Sequence, residues 1–87
     1  MNSEIFKSYS VFEDKRAIKE IIAKNVGEKI KKLRSKYKIS GLDLANVLGV
    51  SQQQLSKYEK GLVDISISKL ILISIYFNVD VSYFFTK

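Results

Sequence analysis

The stretch LANVLGVSQQQLSKYEKG, residues 44–61, decides the fold of this chain. It reads as two short helices around a tight turn. Ser40 is a natural N-cap for a helix over residues 41–48, and Asp43 favours its dipole. Gly49 ends that helix where a positive φ is wanted. Ser51 caps the next helix, residues 52–60, and Gly61 closes it. Two helices crossing steeply need a small residue where they touch, and Ala45 supplies it. Leu44, Leu48, Val50, Leu55 and Tyr58 then fall on the inward side, while Gln52, Gln53 and Gln54 open the second helix.

Proline is absent, so the remaining helix ends are set by caps and glycines. Residues 13–24 carry Ile18, Ile21 and Ile22 at i, i+3 and i+4, an amphipathic helix pattern. Asn25 and Glu28 have the spacing of a capping box, and Val26, Ile30, Leu33 and Tyr37 follow at helical intervals. The pattern gives either two helices, the second running to about Tyr37, or one long helix fused through Gly27. The glycine costs roughly 1 kcal/mol relative to Ala in that case. Tyr37 and Tyr58 are expected in the core. Ser66 caps a helix over residues 67–77, Asn78 stops it, and Asp80 caps a last short helix over residues 81–85. Residues 63–68 alternate but are short and unpaired, so no strand is expected. Residues 1–12 scatter Ile5, Phe6, Tyr9, Val11 and Phe12 among serines without a period, as either a tail or a packed arm. The expected architecture is all-α. A compact five-helix domain covers residues 25–87, and an extension over residues 1–24 is helical from about residue 13.

At 87 residues and 10.0 kDa the chain is one domain, and 46% apolar content is ample for a core. With no Cys and no His, thiol nucleophiles, disulfides, zinc fingers and imidazole bases are excluded. No pair of carboxylates converges in the pattern. No enzyme, metal or small-molecule cofactor is therefore expected. The densest apolar run, residues 70–77, is far too short to span a membrane, and the N-terminus lacks the pattern of a signal peptide. The net charge of +6 is unevenly placed. Residues 15–38 hold ten basic side chains against Glu20 and Glu28, whereas residues 39–87 are neutral. The asymmetry points either to a polyanion partner or to a solvated helix face that aids solubility.

Amides and a lysine at the exposed start of a helix suit the edges of bases in a DNA major groove. A glutamine amide can donate to N7 and accept from the N6 amino group of adenine, and lysine can donate to O6 and N7 of guanine. Gln52, Gln53 and Ser56 share one side of their helix, opposite Leu55 and Tyr58.

On these residues, positions 26–85 resemble the Cro/C1-type (Xre-like) helix-turn-helix family of bacterial and phage repressors, with its lambda-repressor-like fold. The resemblance implies that the second helix of the motif enters the major groove of double-stranded DNA. Gln52, Gln53, Ser56 and Lys57 would then meet bases. Ser40, Gly41, Ser51, Gln54, Lys60 and Lys69 would meet phosphates. Family members often carry Gln where this chain has Gly41, so that anchoring contact is either lost or replaced by the backbone N–H. The resemblance also implies a structural ion pair between Arg34 and Glu59, and a bacterial cytoplasmic, nucleoid-associated setting. Within the family, residues 51–59 resemble the small regulators encoded with fimbrial operons, which repress motility.

The helix over residues 67–77 is unusually apolar. Leu70, Ile73, Ser74 and Phe77 form the expected inner face, but Leu72, Ile75 and Tyr76 form a second one. A small monomer rarely exposes such a patch. Either the N-terminal extension folds over it, with Ile18, Ile21 and Ile22 as candidates, or it is the seam of a homodimer. The sequence thus points to a dimeric, sequence-specific transcriptional regulator, a repressor on a near-palindromic operator. The rivals are an antitoxin that represses its own operon and a protein-interaction adaptor of the same fold.

Overall fold

The computed structural model describes residues 15–86. Within them the chain forms four α-helices and a closing 3₁₀-helix: α1 Lys15–Lys36, α2 Gly41–Leu48, α3 Gln52–Glu59, α4 Ile67–Phe77 and the 3₁₀-helix Val81–Phe85. The arms and tails expected before residue 15 lie outside the described residues. None of the described helices is long and apolar enough to cross a membrane.

Local chemistry fixes most of the helix ends. Ser40, Ser51 and Ser66 each accept a hydrogen bond from the backbone N–H three residues on, at 3.0, 3.0 and 3.3 Å. Asp80 accepts one from the Ser82 N–H at 2.8 Å. Each bond satisfies a donor that the first helical turn leaves without a partner. Gly49 (φ 69°) ends α2 and Asn78 (φ 55°) ends α4, both in the left-handed region.

One expected boundary is replaced. Asn25 does not cap a second helix, because α1 runs unbroken through it. Its side-chain amide instead donates to the carbonyls of Phe84 and Thr86, at 3.2 and 3.0 Å. Carbonyls at the end of the 3₁₀-helix lack helical partners, and this amide ties the end of the chain to α1. Of the two alternatives for the residues before 38, the single helix through Gly27 is the one that forms, and the last of the expected helices is 3₁₀.

The core gathers Val26, Ile30 and Leu33 from α1, Leu44, Ala45 and Leu48 from α2, and Leu55 and Tyr58 from α3. Leu70, Ile73 and Phe77 from α4 and Phe84 from the 3₁₀-helix complete it. Ile30, Leu44, Leu55, Ile73 and Phe84 are fully buried, and each such burial contributes about 1.5–3 kcal/mol. Val50 packs against this cluster while half-buried. Tyr37 does not belong to the core. The helix stops at Lys36 and Lys38 takes a φ of 56°, so Tyr37 leaves the helical spacing and lies half-exposed, stacked on Phe77. Ile18 is buried, but Ile21 and Ile22 are exposed, and they do not cover the outer face of α4.

Candidate nucleic-acid interface

The angle between α2 and α3 is set in the three residues that join them. Ala45, almost wholly buried, lets the two helices approach, and the Val50 N–H donates to its carbonyl at 3.0 Å. At Gly49 a Cβ would meet nothing within 4 Å. Glycine is needed there for its positive φ, not for space.

The inner face of α3 is rooted by Leu55 and Tyr58, which are 1% and 8% exposed. Its outer face presents Gln52, Gln53 and Lys57 to solvent, while Gln54 and Ser56 are half-buried at the margin. The structure therefore groups Gln52, Gln53 and Lys57 and sets Ser56 partly inward.

Two close approaches hold the C-terminal end of α3 against α1. A Cβ on Gly27 would collide with the Tyr58 carbonyl oxygen and stand 2.7 Å from that of Glu59. Here the missing side chain, not chain flexibility, explains a glycine in mid-helix. At Gly61 (φ 70°) a Cβ would stand 2.6 Å from Lys24 Cα, so α1 also presses on the turn after α3. Sequence reading gave Gly27 and Lys24 no such role, because both partners lie more than thirty residues away.

Between these contacts Arg34 binds Glu59 with two parallel hydrogen bonds. Its Nε donates to Oε2 at 2.8 Å and its Nη2 to Oε1 at 2.9 Å. A further donor, Nη1, reaches the Ile39 carbonyl at 3.3 Å. The hydrogen bonds to Glu59 raise the affinity of the guanidinium for its proton above the ordinary arginine value. The pair is largely shielded, with side-chain exposures of 21% and 8%, and it fixes the crossing of α1 and α3.

The other candidate positions separate into two regions. Ser40 and Gly41 begin α2, and Ser51 and Gln52 begin α3, side by side: a Cβ on Gly41 would stand 3.4 Å from Gln52 Nε2. Two helix N-termini so placed favour an anion. Gln53 and Gln54 follow in the same turn of α3. Lys60, the C-cap of α3, is at the opposite end of that helix, and Lys69 lies in the first turn of α4. Lys19 of the α1 extension pairs with Asp64 at 3.3 Å on the surface, where such a bridge is worth little. On α4, Leu72, Ile75 and Tyr76 are 45%, 70% and 44% exposed. No cluster of residues able to hold a metal occurs among the described residues.

Comparison with known proteins gives concordant results. A family model described as "Helix-turn-helix" matches residues 30–84. An uncharacterized HTH-type transcriptional regulator of Rickettsia prowazekii is 42% identical over 60 residues, 69% of this chain and 46% of that protein. The antitoxin PezA of Streptococcus pneumoniae is 35% identical over 55 residues, 63% of this chain and 35% of that protein. The crystal structure of an HTH_3 family transcriptional regulator from Vibrio cholerae superposes with a TM-score of 0.68 at 25% identity. That match covers 77% of this chain and 38% of the other. The chain thus spans less than half the length of these relatives.

Proposed function

Because the chain belongs to the helix-turn-helix family of Cro/C1 type, we propose that it is a sequence-specific DNA-binding transcriptional regulator, a dimeric repressor acting on a near-palindromic operator. One observation carries the reading: Gln52, Gln53 and Lys57 stand free on the outer face of α3 while Leu55 and Tyr58 root its inner face. Amides and an ammonium group so held can meet base edges in the major groove, and each well-formed contact discriminates by about 1–3 kcal/mol. Ser40, Gly41, Ser51 and Gln54 would meet phosphates at the paired helix starts, with Ser56 beside the base readers. Lys60 and Lys69 would flank the groove. These contacts make affinity fall steeply with salt.

Selection of DNA from a random pool tests this reading. The expected outcome is an enriched near-palindrome whose preferred bases change in Gln52→Ala and Lys57→Ala. An absence of enrichment at low salt would overturn it and favour a protein-interaction adaptor. Dimerisation rests on the exposed Leu72, Ile75 and Tyr76 of α4, and it would place two copies of α3 about 34 Å apart on one face of the duplex. Light scattering at micromolar concentration checks this; a monomer there refutes the dimer. The resemblance of residues 51–59 to fimbrial-operon regulators supports a link to motility, to be read from the genes flanking the selected site.

A second reading has its own support. The likeness to PezA, with the apolar outer face of α4, suits an antitoxin that also represses its own operon. Deletion of an antitoxin alone is lethal while its toxin gene remains. A viable single deletion overturns this reading.

A further inference from the structure

We propose that the first turns of α1 form a second phosphate-binding surface, where Arg16 and Lys24 hold the DNA backbone past the C-terminal end of α3. The inference rests on the reading of α3 as the helix that enters the major groove, and adds where the upstream charge acts.

An eight-residue helix is about 12 Å long, the width of the major groove, so both ends of α3 come near phosphates. The two ends treat an anion differently. At the N-terminal end, the starts of α2 and α3 offer N–H groups to it. At the C-terminal end, helix carbonyls repel it. Between residues 58 and 65 only Lys60 is a cation, and Asp64 opposes it.

α1 supplies more charge at this end. Arg16, Ala23, Gly27 and Arg34 recur at intervals of seven, four and seven, which makes one stripe of a helix. Gly27 seats that stripe on the carbonyls of Tyr58 and Glu59, and Arg34 binds the Glu59 carboxylate. The N-terminal part of the stripe faces the following turn: Arg16, Lys19, Glu20 and Ala23 line a groove against residues 61–64. Lys24 Cα would stand 2.6 Å from a Cβ on Gly61, so the Lys24 side chain starts beside the end of α3. Lys19 pairs with Asp64 at 3.3 Å and offsets the one negative charge of the turn. Arg16 and Lys24 are exposed, and among the described residues neither has a carboxylate partner. Both precede residues 30–84, the part matched by the family model, so this surface is an addition to the motif. Contacts of this kind add affinity without adding base choice.

The test uses the duplex that the full chain selects from a random pool, and follows how the binding constant falls with salt. Each phosphate contact adds about 0.9 to the steepness of log K against log salt. Each variant is first shown to melt cooperatively. Arg16→Gln/Lys24→Gln should make the fall shallower by about 1.8 while selecting the same sequence as the wild type. Arg16→Lys/Lys24→Arg, which keeps both charges, should restore the wild-type slope. Lys32→Gln/Lys36→Gln removes two charges lying about 140° and 180° around the helix from Gly27. It should change the slope by less than about 0.5. Equal changes in the two charge-removing variants would mean that only net charge matters, and would overturn the proposal. A wild-type slope in Arg16→Gln/Lys24→Gln would overturn it as well. If the wild-type chain enriches no sequence and binds no duplex at low salt, the reading of α3 itself falls, and the proposal with it.

Discussion

The two ends of α3 are built in opposite ways. At the C-terminal end, backbone meets backbone: Gly27 admits the carbonyls of Tyr58 and Glu59, Gly61 admits Lys24, and Arg34 grips Glu59 with two hydrogen bonds. At the N-terminal end Ser51 closes the first turn, its hydroxyl and carbonyl accepting from the N–H groups of Gln54 and Leu55, and Gln52 and Gln53 reach into solvent. Together with the turn between α2 and α3, the C-terminal contacts fix where the helix points, and the side chains at the other end stay available for a ligand. Substitutions at the C-terminal end should therefore cost stability. Those at the N-terminal end should change binding.

The largest effect is expected at Gly27. Helix propensity alone favours Gly27→Ala by about 1 kcal/mol. The Cβ would strike the Tyr58 carbonyl, and overpacking of this kind costs typically 1–3 kcal/mol, more when backbone must move. A net loss of about 2 kcal/mol, a fall in Tm of roughly 10 °C, is expected in thermal denaturation. A rise in Tm would break the contrast, since the close approach would then not be limiting. Glu59→Gln comes next. It keeps one acceptor for Arg34 but leaves the shielded guanidinium without its counter-charge, at a cost of about 1–2 kcal/mol in urea unfolding.

Asp80 lies away from both ends of α3 and serves as a reference. The Ser82 backbone N–H bonds its carboxylate and lowers its proton affinity below the ordinary aspartate value. The folded form thus favours the charged carboxylate, and this contribution is present at neutral pH and lost as the pH falls below the ordinary aspartate range. Asp80→Ala should lower Tm at pH 7 by less than the two changes above, and the difference should vanish in acid. An undiminished difference in acid would assign the loss to packing. The smallest effect on stability is expected for Gln52→Ala, within about 0.5 kcal/mol of wild type by chemical denaturation. A larger loss would show that the N-terminal end of α3 carries structure as well.

The sequence made legible whatever depends on near neighbours. The caps at Ser40, Ser51, Ser66 and Asp80 and the turn at Gly49 each act within three residues. The inner and outer faces of α3 follow from its period, since Leu55 and Tyr58 leave one side for Gln52, Gln53 and Lys57. Long-range partners were not legible. Asn25 has the spacing of a cap, yet its amide bonds residues 59 and 61 positions away. In the run Tyr83-Phe84-Phe85, periodicity over so few residues could not single out Phe84 as the buried ring. Tyr37 was misplaced because the helix ends one residue before it. The nearness of Gly41 to Gln52 depends on how two helix starts meet, which local spacing does not encode.

The unbroken course of α1 has a mechanical consequence. Its 22 residues make a rod about 33 Å long, braced against the turn after α3 where Lys24 bears on Gly61. The first turns of the rod continue past that contact, where Ile18 is buried and Lys19 pairs with Asp64. With no hinge between them and Gly27, a load applied near Lys15 acts as a torque on the C-terminal end of α3.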